Sequence, residues 1–223
     1  MNNKINIAID GPAAAGKSTI SKRVAEQLNY IYIDTGAMYR AVTLLYIEKG
    51  KDIINNLSSV EISFKREDSN RVILNERDVT DEIRSQTVTA NVSEVSSFEE
   101  VRSYLVAMQQ KIGLEKGVVM DGRDIGTTVL PDAELKIFMQ ASPRVRAERR
   151  LLEEEARGND IDLDELTSQI IRRDELDMSR EISPLLQAHD AVLLDTTDLS
   201  IEDVEAQILD LAKQKIGVEY YAI

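Results

Sequence analysis

Residues 11–18, with the sequence GPAAAGKS, have the residue types and spacing that bind phosphate. They match the pattern GxxxxGK[ST], in which the glycines let backbone amides turn toward phosphate oxygens. An apolar run precedes the segment and a helical pattern follows it, as the motif requires. The Lys17 side chain can reach the β- and γ-phosphates of a nucleoside triphosphate, and the Ser18 hydroxyl can bind Mg²⁺. We therefore predict that ATP and Mg²⁺ bind through Gly11, Pro12, Ala13, Ala14, Ala15, Gly16, Lys17, Ser18 and Thr19.

A phosphate-binding loop alone does not identify the reaction. A switch GTPase would need a guanine-reading NKxD segment, and the nearest candidate, residues 3–6, lacks the Asp and precedes the loop. A motor ATPase usually needs a longer core than 223 residues allow. The class that we favour at this length is a small-molecule kinase.

Three further segments place arginines where a phosphorylated acceptor could bind. Residues 34–40 (DTGAMYR) include Thr35, which could cap a helix, and Arg40 about one turn later. Residues 121–127 (DGRDIGT) put Arg123 beside a carboxylate in a glycine-flanked loop. Phosphoryl transfer brings two polyanions together, and the planar guanidinium of arginine suits the grip on phosphate.

The third segment holds Arg173, Asp177 and Arg180, which are spaced i, i+4 and i+7. This spacing predicts that the three side chains share one face of a helix. An ordinary salt-bridged surface would show the same spacing, so the spacing alone does not decide between the two interpretations.

The composition excludes several classes of function. The chain has no cysteine and a single histidine, His189, which excludes thiolate and histidine-cluster metal sites. Its net charge is −13, whereas nucleic-acid polymers are usually bound by basic surfaces. The first residues lack the pattern of a signal peptide, and no apolar run is long enough to span a membrane. We expect a cytoplasmic protein.

The order of the elements predicts an α/β fold. Short apolar runs at residues 5–9, 30–33, 118–120, 135–139 and 192–194 predict strands, and helical patterns such as 17–28 and 37–49 lie between them. This alternation indicates a parallel sheet covered by helices on both faces. Four runs end in an aspartate: Asp10, Asp34, Asp121 and Asp195. Ligands bind beyond the carboxyl ends of such strands, although Asp also commonly starts turns and caps helices.

Two segments depart from the alternation. Residues 61–65 and 71–75 predict two antiparallel strands around a polar turn at 67–70. Residues 153–164 are highly charged, and they could form either a mobile lid or a solvated connection between helices.

The combined motifs resemble those of bacterial cytidylate kinases. The matching segments are IAIDGPAAAGKST, DTGAMYR, MDGRDIGT, the R-x-x-x-D-x-x-R pattern and Ser183-Pro184-Leu185, in that order and over essentially the whole chain. The resemblance implies one kinase domain over residues 1–223, of the P-loop type. It also implies a monophosphate-binding insertion near residues 60–83 and a helical lid near residues 150–165.

The resemblance also implies roles for individual residues. The acceptor phosphate would be bound by Thr35, Arg40, Arg123 and Arg180, the ribose by Arg173 and Asp177, and the cytosine by Ser93, Arg102 and Asp124. The family commonly has Ser at the position of Thr35, and the hydroxyl is kept. The catalytic set would be Lys17, Arg123 and Arg180. Lid arginines would contact ATP phosphates, and the candidates are Arg149, Arg150 and Arg157.

The resulting expectation is ATP-dependent, Mg²⁺-assisted phosphorylation of CMP and dCMP by direct in-line transfer, in a monomer. A carboxylate at Asp124 can accept a hydrogen bond from the cytosine amino group, and Arg102 can donate to the carbonyl and ring nitrogen. Two alternatives are another small kinase, acting on a different monophosphate or on shikimate, and a nucleotide-binding regulator without turnover.

Overall fold

The computed structural model describes residues 4–65, 71–156 and 158–217. The chain divides into two compact units. The core unit comprises the residues up to Tyr32 and those from Ile112 onward, and the inserted unit comprises Ile33–Lys111. The predicted turn at 67–70 and Arg157 lie outside the described residues.

In the described ranges, the strands are β1 (Asn6–Asp10), β2 (Ile31–Asp34), β3 (Ile62–Lys65), β4 (Arg71–Leu74), β5 (Arg77–Asp78), β6 (Val118–Gly122), β7 (Leu135–Gln140) and β8 (Val192–Asp195). The α-helices are α1 (Lys17–Leu28), α2 (Thr35–Lys49), α3 (Gln86–Val95), α4 (Glu99–Gly113), α5 (Pro143–Ala156), α6 (Leu163–Met178) and α7 (Ile201–Ile216). Shorter 3₁₀ turns span Lys51–Ser59 and Glu82–Arg84, and a π-helical turn spans Ile125–Val129.

The main sheet has the strand order β2-β6-β1-β7-β8. Strand β1 runs parallel to both β6 and β7, and β7 runs parallel to β8. All five residues of β1 and of β6 are buried, because a central parallel strand is covered on both faces. The predicted α/β class with a parallel sheet is confirmed.

The core beside this sheet is aliphatic. Ile7 and Ile9 of β1 belong to one buried cluster with Ile137 of β7. The same cluster includes Val24 of α1 and Ile208 of α7, so these two helices cover the sheet. The apolar faces of α1 and α7 therefore fix the start of α1, where the phosphate-binding loop ends, against the sheet.

The inserted unit contains a small antiparallel sheet of order β3-β4-β5. The register of its first pair places Ile62 opposite Leu74 and Phe64 opposite Val72. Helices α3 and α4 follow this sheet in the chain. Helix α3 ends at Val95, and the hydroxyl of the next residue, Ser96, donates to the carbonyl of Ser93 (3.1 Å).

Candidate active site

The phosphate-binding loop joins β1 to α1, and its two glycines are required by geometry. Gly11 has a φ of 150°, and a Cβ there would lie 2.0 Å from the carbonyl oxygen of Met139. Gly16 precedes α1 with a left-handed φ of 87°. In the described structure no side chain caps α1 at this residue. The first amides of α1 can therefore bind an anion.

Lys17, the first residue of α1, is buried against this loop. Its Nζ donates to the carbonyl oxygen of Pro12 (2.7 Å). Burial lowers the pKa of Lys17 to about 7, and nearby Arg123 adds to this effect, while Asp121 and Asp10 oppose it. A bound polyphosphate would add negative charge beside this ammonium group and would favour its charged form.

Ser18 and Asp121 bring oxygen ligands together at the carboxyl end of β6. The Ser18 hydroxyl donates to Oδ2 of Asp121 (2.9 Å), and the Tyr32 hydroxyl donates to Oδ1 (2.9 Å). Mg²⁺ prefers oxygen ligands and is commonly bound by one or two protein groups together with substrate phosphates. Ser18 and Asp121 fit that requirement. The sequence alone did not single out Tyr32, and it gave only the strand-end pattern for Asp121.

Asp10 connects the phosphate-binding loop to the DGRDIGT loop. Its carboxylate accepts hydrogen bonds from the amides of Ile125 (2.8 Å) and Gly126 (2.7 Å). Burial raises the pKa of Asp10 to about 6, although the two amide hydrogen bonds act in the opposite direction. Asp10 therefore holds the loop that carries Arg123 and Asp124 at the end of its own strand.

Asp177 joins two of the predicted acceptor arginines. Its Oδ2 accepts from Nε of Arg123 (2.8 Å), and its Oδ1 accepts from Arg180. Burial alone would raise the pKa of the Asp177 carboxyl, but Arg123, Arg180 and Arg173 together hold it below its usual value. Asp177 is buried, so the salt-bridged surface interpretation is wrong at this residue.

Two details of the sequence interpretation need correction. Helix α6 ends at Met178, so Arg180 is not on the helix and does not share its face with Arg173. It reaches Asp177 from the segment that follows the helix. The cap of α2 is Asp34, whose carboxylate accepts from the amide of Ala37 (2.9 Å), and Thr35 is the first residue inside the helix.

Asp124 begins the π-helical turn that follows β6. Only 4% of its surface is exposed. Its carbonyl oxygen accepts from the amides of Thr128 (2.8 Å) and Val129 (3.2 Å), which fixes its backbone independently of its side chain.

Two predicted site residues of the inserted unit, Arg40 and Arg102, are held by contacts within that unit. Nη1 of Arg40 donates to the carbonyl of Ile83 (3.1 Å) and to the hydroxyl of Thr89 (2.9 Å). Arg102, only 3% exposed, lies over the Tyr39 ring at 5.4 Å from its centroid.

The segment between α3 and α4 connects two of these residues. Nη1 of Arg102 donates to the carbonyl of Ser96 (3.3 Å). Ser96 lies three residues after Ser93 in the chain. The fold thus brings the end of α3, which carries Ser93, to the Arg102 guanidinium.

Two of the arginines that the resemblance places at a lid, Arg149 and Arg150, differ in their contacts. Nη1 of Arg149 donates to the carbonyl of Ala15 (3.3 Å), and Nη2 donates to the carbonyl of Thr196 (2.6 Å). Arg150 pairs instead with Glu153 and with the buried Glu154. Of these two, Arg149 is the one that reaches the phosphate-binding loop, and burial lowers its pKa.

The charged segment between α5 and α6 is partly anchored. Glu154 also accepts from the side-chain amide of Asn159 (2.7 Å). Asp162 caps α6 by accepting from the amides of Asp164 (2.9 Å) and Glu165 (3.1 Å).

None of the helices in the described ranges combines the length and apolar character needed to cross a membrane.

Comparison with known proteins gives the family. The family model for cytidylate kinase matches residues 7–214. An uncharacterized protein from Eubacterium ventriosum is 13% identical, with a TM-score of 0.54, and the match covers 95% of this chain and 99% of that one. At this identity the likeness supports the fold alone.

Two named kinases are also similar in structure. A shikimate kinase from Bacteroides thetaiotaomicron is 15% identical, with a TM-score of 0.48 and coverage of 94% of this chain and 98% of that one. A gluconokinase from Sinorhizobium meliloti is 16% identical, with a TM-score of 0.45 and coverage of 97% and 94%. Because the cytidylate kinase model spans most of the sequence, this chain belongs to the cytidylate kinase family and is a nucleotide kinase.

Proposed function

We propose that this kinase transfers the γ-phosphoryl group of ATP to CMP and dCMP, giving the diphosphates. The observation that carries the proposal is the group of buried or part-buried charges at the carboxyl ends of the strands of the core sheet. Lys17, Arg123 and Arg180 bring positive charge there. Asp177 holds both arginines, and Asp121 accepts a hydrogen bond from Ser18, the residue after Lys17. This arrangement suits the neutralisation of a triphosphate donor and a monophosphate acceptor.

The donor side of the reaction uses the phosphate-binding loop. The amides at the start of α1 and the Lys17 ammonium group bind the β- and γ-phosphates of ATP. Ser18 and Asp121 would hold Mg²⁺, which neutralises charge on the phosphates when it is bound. Residues 150–165 form a lid that excludes water. Arg149, next to this segment, contacts the ATP phosphates, and Arg157 is a further candidate for the same contact.

The acceptor side combines charge and base recognition. In the core unit, Arg123 and Arg180 bind the acceptor phosphate, Arg173 and Asp177 bind the ribose, and Asp124 accepts from the cytosine amino group. In the inserted unit, which includes residues 60–83, Thr35 and Arg40 bind the phosphate and Ser93 and Arg102 bind the base. The acceptor phosphate attacks the γ-phosphoryl group in line, so the protein positions and neutralises the reactants without a covalent intermediate.

The net charge of −13 favours small nucleotides over a nucleic-acid polymer as the acceptor. The resemblance to the family carries a further expectation of a monomer, which sedimentation velocity of the purified chain would test.

The proposal is tested by a coupled assay of ADP release with CMP, dCMP, UMP, AMP and shikimate as acceptors. We expect the highest kcat/KM with CMP or dCMP, and a value roughly tenfold or more lower with UMP, because a carboxylate repels the uracil carbonyl. A higher kcat/KM for AMP or shikimate would replace the proposed acceptor. ATP binding without acceleration by any acceptor would instead indicate a nucleotide-binding regulator.

The ribose role of Asp177 gives a second prediction. Asp177→Ala removes the carboxylate that holds Arg123 and Arg180, so kcat/KM should fall roughly tenfold or more with both CMP and dCMP. If Asp177 also contacts the 2′-hydroxyl, the loss should be greater for CMP, and any preference for CMP over dCMP should shrink.

The measurement is the ratio of kcat/KM for CMP over dCMP in the variant and in the wild type. Glu175→Ala, at an exposed position of the same helix, is the matched control. An unchanged ratio would remove Asp177 from ribose recognition and leave it the task of positioning the two arginines.

A further inference from the structure

A buried ion pair holds one residue of the phosphate-binding loop, Ala13, through both its amide and its carbonyl group. Nη1 of Arg146, on α5, lies 2.6 Å from Oδ2 of Asp174, on α6. The amide of Ala13 donates to Oδ1 of Asp174 (3.3 Å), and the carbonyl of Ala13 accepts from Nη1 of Arg146 (3.0 Å). Nε of the same arginine donates to the carbonyl of Ala141 (2.9 Å).

The pair lies in the interior of the protein. Arg146 is 3% exposed and Asp174 is 7% exposed. Beside it, Ala147, Leu166 and Ile170 form a small buried cluster, against which Ala14 packs. A buried ion pair seldom stabilises a fold more than apolar residues of the same size would, because both charges must leave water. The contacts to Ala13 suggest a different use for this pair.

The contacts also determine which amides of the loop can bind phosphate. The Ala13 amide donates to Asp174, so the amides that follow it remain to bind the nucleotide. Ala14 has a left-handed φ of 57°, which is unfavourable for a residue with a Cβ and requires support from its surroundings. When right-handed and left-handed backbone conformations follow one another, successive amides point toward one anion. The ion pair fixes the backbone of Ala13, the residue immediately before Ala14.

We propose that Arg146 and Asp174 are positioning residues that preorganise the phosphate-binding loop for ATP. Helices α5 and α6 hold the Ala13 backbone in its binding conformation through this pair, so the loop does not have to order itself when the nucleotide binds. The inference rests on the ATP side of the proposed function and is independent of the identity of the acceptor.

The decisive variant replaces both charges with apolar side chains. Arg146→Met combined with Asp174→Leu leaves no unpaired charge in the interior, so the melting temperature should stay close to that of the wild type. The two hydrogen bonds to Ala13 are nevertheless lost, so the Kd for ATP should rise roughly tenfold while the KM for CMP changes little. Isothermal titration gives the Kd, and initial rates give the KM.

A second variant covers the case in which the double replacement does not fold. Asp174→Asn keeps an acceptor for the Ala13 amide but removes the negative charge beside Arg146, and it should weaken ATP binding to a smaller extent. Glu205→Gln is the control, because it weakens the ion pair of Glu205 with Arg23 (2.6 Å), which joins α7 to α1 without touching the loop. This control should bind ATP as the wild type does.

A folded double variant with wild-type affinity for ATP would overturn the inference, and so would equal weakening by Asp174→Asn and the control. A wild-type protein that does not bind ATP would overturn the proposed function itself, which separates the two failures.

Discussion

Lys17→Ala should lower kcat by roughly 100-fold or more and leave the fold intact. The ammonium group neutralises charge that develops on the transferring phosphoryl group, and no other side chain of the phosphate-binding loop carries a positive charge. The fold should tolerate the change, since burial lowers the pKa of Lys17 to about 7 and therefore makes its charged form costly inside the protein. The measurements are kcat with saturating ATP and CMP, and the melting temperature.

Lys22→Ala is the matched control for this prediction. Lys22 lies on the same helix, α1, and is partly exposed. Its loss removes the same charge from the helix without touching the loop, so kcat should stay within about twofold of the wild type. Wild-type turnover in a folded Lys17→Ala protein would overturn the assignment of the phosphate-binding loop.

The parts of the fold that the sequence predicted are those that depend on neighbouring residues. The GxxxxGK[ST] pattern is continuous, and its glycines, lysine and serine sit between β1 and α1 as predicted. Apolar runs such as residues 5–9 and 135–139 mark strands because the sheet is covered on both faces. The family model over residues 7–214 confirms the resemblance that these motifs indicated.

The contacts that organise the candidate site could not be predicted in the same way. Ala13 and Asp174 are 161 positions apart in the chain, and Asp10 and Gly126 are 116 apart. A sequence shows that such residues are polar, but their partners are set by how helices and strands pack. Tyr32 illustrates the limit, because its hydroxyl meets Asp121 only when β2 and β6 are placed side by side.

Two local errors have simple physical causes. Asp and Thr are both good caps, so DTG offers two candidates for the start of α2, and the structure uses Asp34. The periodicity of residues 173–180 continues past Met178, although the helix stops there. Helix ends depend on tertiary contacts as well as on spacing, and in this case the ion pair with Asp177 holds Arg180 beyond the helix.

Asp124→Ala should reduce kcat/KM for CMP by about 10- to 150-fold, which corresponds to about 1.5–3 kcal/mol for a hydrogen bond to a charged group. The side chain is buried, and we propose that it accepts from the cytosine amino group. Activity with UMP should fall much less or rise, because the carboxylate that repels the uracil carbonyl is gone. The measurement is the ratio of kcat/KM for CMP over UMP in the variant and in the wild type.

A second variant at the same position sharpens the test. Asp124→Asn keeps the shape of the side chain and adds an amide that can donate to the uracil carbonyl, so it should shift the preference further toward UMP than Asp124→Ala does. Asp132→Ala, an exposed aspartate in the same stretch of chain, is the control and should leave the ratio unchanged. If Asp124 only braces the backbone or the neighbouring arginine, both acceptors present the same phosphate and lose activity alike. An unchanged ratio in both Asp124 variants would therefore remove this residue from base recognition.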